Sequence, residues 1–169
     1  MGAVEKLELG FGQFVYLVPR DGWGALPGDL TPLRPPISRV RFTFTGLAGC
    51  NSPEECLVKT KELEMFYRNK GHPDLPYNFL VGGDGRVYEG GGWNYDTEKK
   101  PKHIWLKGKT ISIAYMGNFS RDSPPYELLS VAMDLIKYGL KVKKIRTLCK
   151  LVPYWSPMMK RKPAKTHKQ

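Results

Sequence analysis

Apolar and polar residues alternate along residues 40–45 (VRFTFT), and this period of two predicts a β-strand, because successive strand side chains point to opposite faces. Two further stretches, residues 79–81 and 110–116, are largely apolar, which is typical of strands buried on both faces. The sequence GGDG at residues 82–85 joins the first of these runs to residues 86–88 (RVY). Because Asp and Gly tolerate the backbone of tight turns, this segment predicts a β-hairpin. The spacing alone leaves open whether the hairpin has a functional meaning.

A first helix is predicted to begin at Ser52 and to run to about Asn69. Ser52 is suited to cap the helix, Pro53 to occupy its first turn and Glu55 to complete a capping box. Gly71 is placed to end the helix, because glycine readily adopts the conformation found after many helices. The face expected to be buried contains Cys56, Thr60, Leu63, Phe66 and Tyr67.

A second helix is predicted to start at Ser123 and Pro124, and Gly139 is expected to end it. Its apolar stripe consists of Leu128, Val131, Ala132, Leu135 and Ile136. Because strands and helices alternate along the chain, the sequence predicts an α/β fold.

Composition adds an uneven distribution of charge to this pattern. The 169 residues are enough for one domain with a sizeable core, and 41% of them are hydrophobic. Of the 27 Lys and Arg residues, 10 follow Leu140, and no acidic residue accompanies them there. The net charge of +11 therefore belongs largely to the C-terminal end, where residues 156–169 predict a basic, disordered tail. Such a tail is suited to contact anionic surfaces, and nothing indicates specific nucleic-acid binding.

No targeting segment is recognisable near the N-terminus. The short apolar stretch at residues 11–18 follows Glu5 and Glu8 and lacks a clear cleavage site, so it fits neither a signal peptide nor a membrane span. Localisation stays open between a cytoplasmic protein and an extracellular or membrane-associated one that is part of a longer form.

Four motifs together carry a resemblance to a known family. They are VPRDGWGA at residues 18–25, CNSPEEC at 50–56, YNFLVGGDGRVYEGGGW at 77–93 and ISIAYMGNF at 111–119. With these motifs in this order, the chain resembles the peptidoglycan recognition proteins, the animal relatives of zinc-dependent N-acetylmuramoyl-L-alanine amidases. The resemblance implies a central mixed β-sheet flanked by about three helices, with a groove for muramyl peptide on one face.

The extent of the resemblance suggests the domain boundaries. Residues 1–17 are expected to be an N-terminal extension and residues 18–155 the family domain, with the strongest match over 18–140. From about Lys141 the chain departs from the family, whose members continue into a closing helix. We therefore expect that helix to be altered or missing. The apolar surface left behind would make the domain less stable or would be covered by a partner.

The resemblance also implies where a catalytic zinc ion would be held. Active members use two histidines and a cysteine; the first histidine position matches Phe44, the second matches Tyr154, and the cysteine segment has no counterpart. Phenylalanine has no lone pair for zinc, and a tyrosine phenol is a poor ligand at neutral pH. Without zinc, nothing lowers the pKa of the attacking water. We therefore expect that the chain is not an enzyme and has no cofactor; a zinc-dependent amidase with an unusual metal site is the alternative.

The three histidines do not suggest a replacement metal site. His72, His103 and His167 have no second ligand at a spacing typical of metal sites. Tyr77 matches a tyrosine that assists the amidase reaction in the family, but it cannot act without the metal.

Recognition of peptidoglycan does not require zinc, and the resemblance implies four residues at or near the groove. These are Thr45, Tyr67, Tyr77 and Trp93. They are suited to stack on sugar or to hydrogen-bond peptide; the alternative is that the aromatic residues belong to the core and the groove wall.

Two departures from the family weaken the prediction that the chain binds peptidoglycan. Gly91 stands where many members have an arginine, and residues 96–102 (DTEKKPK) replace a segment with a Gly-x-His motif.

The predicted function is that of a non-catalytic peptidoglycan recognition protein in innate immunity. Its expected partners are a muramyl-peptide fragment of peptidoglycan and another recognition protein, in a hetero- or homodimer.

The resemblance further implies a disulfide between Cys50 and Cys56, whereas the rarity of cytosolic disulfides leaves two reduced thiols as the alternative. Cys149 has no evident partner.

Overall fold

The computed structural model describes residues 2–28, 30–98 and 104–153. Its strands are β1 (Glu5–Gly10), β2 (Gln13–Val18), β3 (Thr31–Pro32), β4 (Ile37–Phe44), β5 (Phe79–Val81), β6 (Val87–Glu89), β7 (Tyr95–Asp96), β8 (Thr110–Tyr115) and β9 (Ile145–Val152). In the described residues, seven strands form a mixed sheet in the order β1-β2-β6-β5-β8-β4-β9, and β3 pairs with β7. The helices α1 (Pro53–Asn69) and α2 (Tyr126–Lys141) pack on opposite faces of the larger sheet. This arrangement confirms the predicted α/β fold with a central mixed sheet.

The three predicted strands all lie in the middle of the sheet. β4 contains most of the alternating stretch and runs parallel to β8, with Val40 beside Ile111 and Phe44 beside Tyr115. The predicted hairpin is confirmed, because β5 and β6 are antiparallel and Leu80 faces Tyr88. Its turn reverses the chain at Gly85, whose φ of 80° is readily adopted only by glycine.

The start of α1 follows the sequence signals, and its end is near the predicted one. The Ser52 side chain accepts a hydrogen bond from the Glu55 N–H at 3.2 Å, and Pro53 lies in the first turn. Gly71 follows the helix with a φ of 87°. The residues of α1 that are fully buried include Glu64, which the apolar pattern did not predict.

The predicted bounds of α2 are wrong at both ends. The helix begins at Tyr126 rather than at Ser123, and it continues through Gly139 to Lys141. Gly139 does not end the helix but lets it approach its neighbours, since a Cβ at this position would lie 2.6 Å from Ile145 Cδ1 and 2.7 Å from Trp93 Cη2. Close packing, and not a left-handed turn, explains this glycine.

The N-terminal residues are part of the sheet rather than an extension outside it. β1 and β2 form an antiparallel hairpin, and β2 runs parallel to β6, with Leu17 beside Val87. Leu7, Val15 and Leu17 are buried in the cluster that α2 covers. Because these side chains are buried against the sheet and α2, residues 2–17 belong to the same folded unit.

After α2 the described chain continues as a strand, and the position expected for the closing helix, after Tyr154, lies outside the described residues. β9 lies at the edge of the sheet beside β4, with Arg39 next to Lys150. Leu148 on this strand is 87% exposed.

Residues 156–169, predicted to be a basic tail, lie outside the described residues. No helix within the described ranges has the length and apolar character to cross a membrane.

Candidate functional site

Two tyrosine side chains meet where α1 approaches the start of β5. The hydroxyl groups of Tyr67 and Tyr77 share a hydrogen bond of 2.7 Å, and their rings pack edge to face with centroids 5.7 Å apart. Burial raises the pKa of Tyr77 above its ordinary value, and the hydrogen bond with Tyr67 raises it further. Tyr77 is therefore a neutral hydroxyl at physiological pH.

Tyr77 lines a cleft of about 200 Å³ on the sheet face opposite α2. The polar residues of β4 and β8 form one side of this cleft, because strand alternation turns them away from the apolar cluster. The remaining lining comes from the loops around residues 76 and 97. The lining residues are Arg41, Thr43, Pro76, Tyr77, Thr97, Glu98, Thr110, Ile111 and Ser112.

A second cleft of about 330 Å³ adjoins the first, since Pro76, Thr97 and Glu98 line both. Its other described lining residues are Leu30, Thr31, His72, Pro73, Asp74, Leu75, Asp96 and Lys107. We refer to the two clefts together as the groove. Its surface is rich in hydroxyl and charged groups, and it can offer a polar ligand both donors and acceptors.

Asn78 connects the loop at residues 92–97, part of which lines the groove, to the sheet. Its Nδ2 group donates to the carbonyl groups of Gly92 at 3.0 Å and Tyr95 at 2.7 Å. Its Oδ1 atom accepts from the Thr97 hydroxyl at 2.8 Å and from the Ser112 N–H at 2.9 Å. Since Asn78 is fully buried, these hydrogen bonds fix the 92–97 loop in one position above β8.

A buried ionic network supports the other end of the groove. Asp74 accepts hydrogen bonds from two guanidinium nitrogens of Arg20 and lies 3.7 Å from Arg68. Arg68 and Arg20 both donate to the Leu26 carbonyl, at 3.0 and 2.9 Å. Glu64 accepts from the Leu26 N–H at 2.8 Å. The network joins the N-terminal loop, α1 and the 72–76 loop, so residues far apart in sequence share one support.

Of the four residues predicted at the groove, Tyr67 and Tyr77 lie together, and Thr45 and Trp93 lie elsewhere. Trp93 packs on the opposite side of the sheet, in the cluster under α2, with its ring centroid 4.7 Å from that of Phe79. Thr45 is buried, and its hydroxyl accepts a hydrogen bond from the Gly117 N–H at 3.1 Å. These contacts link Trp93 to the core and Thr45 to the junction that follows β4 and β8.

The position predicted to have lost a zinc ligand is also on the far side of the sheet. Phe44 packs against Phe119 in the cluster under α2, with centroids 6.3 Å apart, and so cannot share a site with Tyr77. The preceding residue, Thr43, is the one at this end of β4 that lines the cleft with Tyr77. Phe44 and Thr43 lie on opposite faces of β4 because a shift of one residue changes the face of a strand. Tyr154, His103 and His167 lie outside the described residues.

The described side chains of the groove do not fit a zinc ion bound by two histidines and a cysteine. Within residues 2–28, 30–98 and 104–153, no three His, Cys, Asp or Glu side chains are grouped so that they could hold a metal ion. In the cleft beside Tyr77 the one described carboxylate, Glu98, accepts a hydrogen bond from Arg41 at 3.2 Å. Hydroxyl groups make up most of the remaining polar lining, and they are not the usual ligands of zinc.

The disulfide implied by the resemblance is confirmed. Cys50 and Cys56 are bonded, with their Cα atoms 5.0 Å apart, and they connect the loop after β4 to the first turn of α1. Cys149 is a free cysteine on β9.

Sequence reasoning missed the polar residues of β4 and β8 in the cleft. Arg41 and Thr43 are two of the three polar members of the alternating stretch, so the period of two already assigned them to one face. Ser112 interrupts the apolar run of β8 in the same way. These interruptions were the available signal, but which face would border Tyr77 depended on the fold.

Comparison with known proteins agrees with this architecture. No family model matches the chain. Peptidoglycan recognition protein 1 of Mus musculus is 36% identical over 127 residues, which are 74% of this chain and 69% of the relative. The structure of human PGRP-IBETAC in complex with glycosamyl muramyl pentapeptide matches at a TM-score of 0.75 and 30% identity, covering 81% of this chain and 82% of that one.

A second solved structure contains two proteins of the same kind. The ectodomain complex of PGRP-LCa and PGRP-LCx with tracheal cytotoxin bound matches at a TM-score of 0.74 and 33% identity. The match covers 81% of this chain and 82% of that one. Together with the four motifs, these similarities show that the chain belongs to the peptidoglycan recognition protein family.

Proposed function

We propose that this protein binds muramyl-peptide fragments of peptidoglycan without hydrolysing them, and that it acts in innate immunity. Family membership supports the ligand class, and a related human protein has been solved in complex with a glycosamyl muramyl pentapeptide. The observation that carries the proposal is the groove beside Tyr77, in which a buried tyrosine, hydrogen-bonded to Tyr67, lies among hydroxyl groups and an ion pair.

The groove has the polarity that a muramyl peptide requires. Sugar hydroxyl groups and peptide amides must exchange their bonds to water for bonds to protein, and a groove without such partners would bind them poorly. Thr43, Thr97 and Ser112 place hydroxyl groups around Tyr77. Asn78 holds Thr97 and the Ser112 backbone in place, so this part of the surface is formed before the ligand arrives.

The same lining supports binding without cleavage. Zinc-dependent hydrolysis needs a metal that lowers the pKa of water and polarises the amide carbonyl. The cleft beside Tyr77 offers hydroxyl groups and one carboxylate that is paired with Arg41. A neutral Tyr77 can donate a hydrogen bond to a ligand, and that is its role in our proposal.

We also propose that the protein acts together with another recognition protein. Support comes from the related complex in which PGRP-LCa and PGRP-LCx are assembled with tracheal cytotoxin. Sedimentation velocity with and without muramyl peptide tests the pairing. We expect a complex with a recognition-protein partner only when the peptide is present; monomers under both conditions would contradict this part of the proposal.

Binding and cleavage can be tested on one protein preparation. With an equimolar amount of zinc and N-acetylmuramoyl peptide, mass spectrometry should detect no released L-alanyl peptide, while calorimetry should detect saturable binding of Lys-type or diaminopimelate-type peptide. Thr43→Val should weaken binding because it removes a cleft hydroxyl, whereas Thr147→Val on exposed β9 should not. Zinc-dependent release would favour the amidase alternative, and neither binding nor release would overturn the proposal.

A further inference from the structure

We infer that two copies of this chain associate through their β1 strands and so join their sheets into one. β1 is an edge strand of the larger sheet, and no other strand of the described residues pairs with its outer side. An edge strand presents unpaired N–H and C=O groups, which a strand of another chain can bind. The Glu8 carbonyl accepts a hydrogen bond from Lys141 Nζ at 2.8 Å, so this carbonyl is accessible to a donor from outside the β1–β2 hairpin.

The charged side chains of β1 complement those of a second copy. Lys6 and Glu8 are exposed on the face opposite α2, because Leu7 between them is buried in the cluster that α2 covers. When two β1 strands run antiparallel with Leu7 opposite Leu7, Lys6 lies opposite the partner's Glu8. By symmetry, Glu8 then lies opposite the partner's Lys6. Opposite charges that face each other across a strand pair are favourable, and the symmetric contact forms this pair twice.

The faces and the charges of β1 together select this register. Residues opposite each other in an antiparallel pair share one face of the sheet, so Lys6 and Glu8 can meet only residues of their own exposed face. If Lys6 lay opposite Lys6, or Glu8 opposite Glu8, like charges would meet at the symmetry axis. The register with Leu7 opposite Leu7 avoids both repulsions and makes both attractions.

The opposite edge of the sheet is unsuited to such a contact. β9 carries Arg146 and Lys150 and no acidic residue, so two copies paired there would bring like charges together. Its register with β4 is also irregular, with a shift between Ile37 and Arg39. Charged side chains and bulges are features that keep edge strands from pairing with other chains. By contrast, the register of β1 with β2 is continuous over residues 5–8, so β1 is the edge suited to a second copy.

The contact is small and does not need the groove. β2, β6 and β5 separate β1 from the strands β8 and β4 that line the cleft beside Tyr77. Two strands of six residues form less than a standard interface, so we expect self-association at concentrations near ~100 µM. At low micromolar concentrations the protein without ligand should be monomeric. The inference therefore does not rest on the proposed function, and the contact is separate from the ligand-dependent pairing.

Exchange of the two charges tests the inference. Sedimentation velocity over a series of concentrations, without muramyl peptide, should show the wild type passing from monomer to dimer. Lys6→Glu should weaken the dimer about tenfold, because both cross-strand pairs change from attraction to repulsion. Glu8→Lys should weaken it to the same extent. The double variant Lys6→Glu/Glu8→Lys should restore wild-type association, because the opposite charges then face each other again.

Lys150→Glu is the matched control, since it makes the same change of charge on the other edge strand. It should dimerise like the wild type, and thermal unfolding of each variant should show that all are folded. A wild type that stays monomeric at concentrations well above the expected one would overturn the inference. So would a double variant that associates as weakly as the single ones, oligomers larger than a dimer, or equal weakening by Lys150→Glu.

Discussion

The face of the sheet beneath α2 is an apolar layer, whereas the opposite face combines a smaller apolar cluster with buried polar groups and the groove. Beneath α2, side chains such as Phe79 and Leu135 are fully buried and need only close packing. On the opposite face Asp74 and Asn78 are buried as well, and each depends on several specific partners. An apolar layer can change its packing at moderate cost, but a polar network is stable only when its partners are complete. The face that carries the candidate groove is therefore the one whose geometry is specified most strictly.

The largest expected effect comes from breaking the ionic network. Asp74→Ala leaves Arg20 and Arg68 close together without their carboxylate, so we expect the free energy of unfolding to fall by about 4 kcal/mol. Urea denaturation measures the change. Asp134→Ala is the control, because Asp134 pairs with Lys137 on the surface of α2 and should change stability by less than about 0.5 kcal/mol. Similar losses in both variants would mean that the network does not support its face of the sheet.

Substitution of Trp93 separates core packing from ligand binding. Because Trp93 packs on Phe79 under α2, Trp93→Ala should lower the free energy of unfolding by about 3 kcal/mol. The affinity of the folded protein for muramyl peptide should not change. Tyr77→Phe should have the opposite pattern. It should lower the affinity for muramyl peptide clearly and change the free energy of unfolding less. If Trp93→Ala had normal stability and weak binding, the assignment of Trp93 to the core would be contradicted, and its prediction as a groove residue would stand.

The tyrosine pair offers a smaller and more local test. Tyr67→Phe removes the hydrogen bond between the hydroxyl groups, so we expect a loss of about 1 kcal/mol in thermal unfolding. The pKa of Tyr77 should fall, because the bond to Tyr67 contributes to raising it. Spectrophotometric titration of the phenols checks this direction. Tyr126→Phe, on an exposed tyrosine of α2, should change neither quantity.

The smallest effect at neutral pH is expected at Glu89. Burial raises the pKa of this carboxyl group above its ordinary value, although its bond to the Arg20 N–H partly opposes the shift. The folded state therefore keeps the proton to higher pH than the unfolded state does, and ionisation above the raised pKa costs stability. Glu89→Gln should be slightly more stable than the wild type at pH 7, and its advantage should shrink as the pH falls through the raised pKa. A difference that does not vary with pH would contradict this assignment.

Local signals in the sequence predicted the elements well. The Ser52 cap, the Asp-Gly hairpin and the alternation in β4 all involve residues within a few positions of one another. Such signals work because backbone geometry and capping depend on neighbours in the chain. Gly139 was misread for the same reason. Its local context resembles a helix end, whereas its cause is contact with Ile145 and Trp93.

By itself, the sequence determined the α/β fold and the two faces of each strand. The resemblance of its motifs indicated the family and implied the disulfide, with two reduced thiols as the alternative. Only the tertiary structure decided which face borders Tyr77, and hence that Thr43 rather than Phe44 lies in the cleft and that Trp93 lies in the core. Alternation separates two sets of side chains but does not say what will cover each set. Local signals also could not predict the ionic network that supports the groove, because Arg20 and Asp74 are 54 residues apart and meet only when the chain is folded.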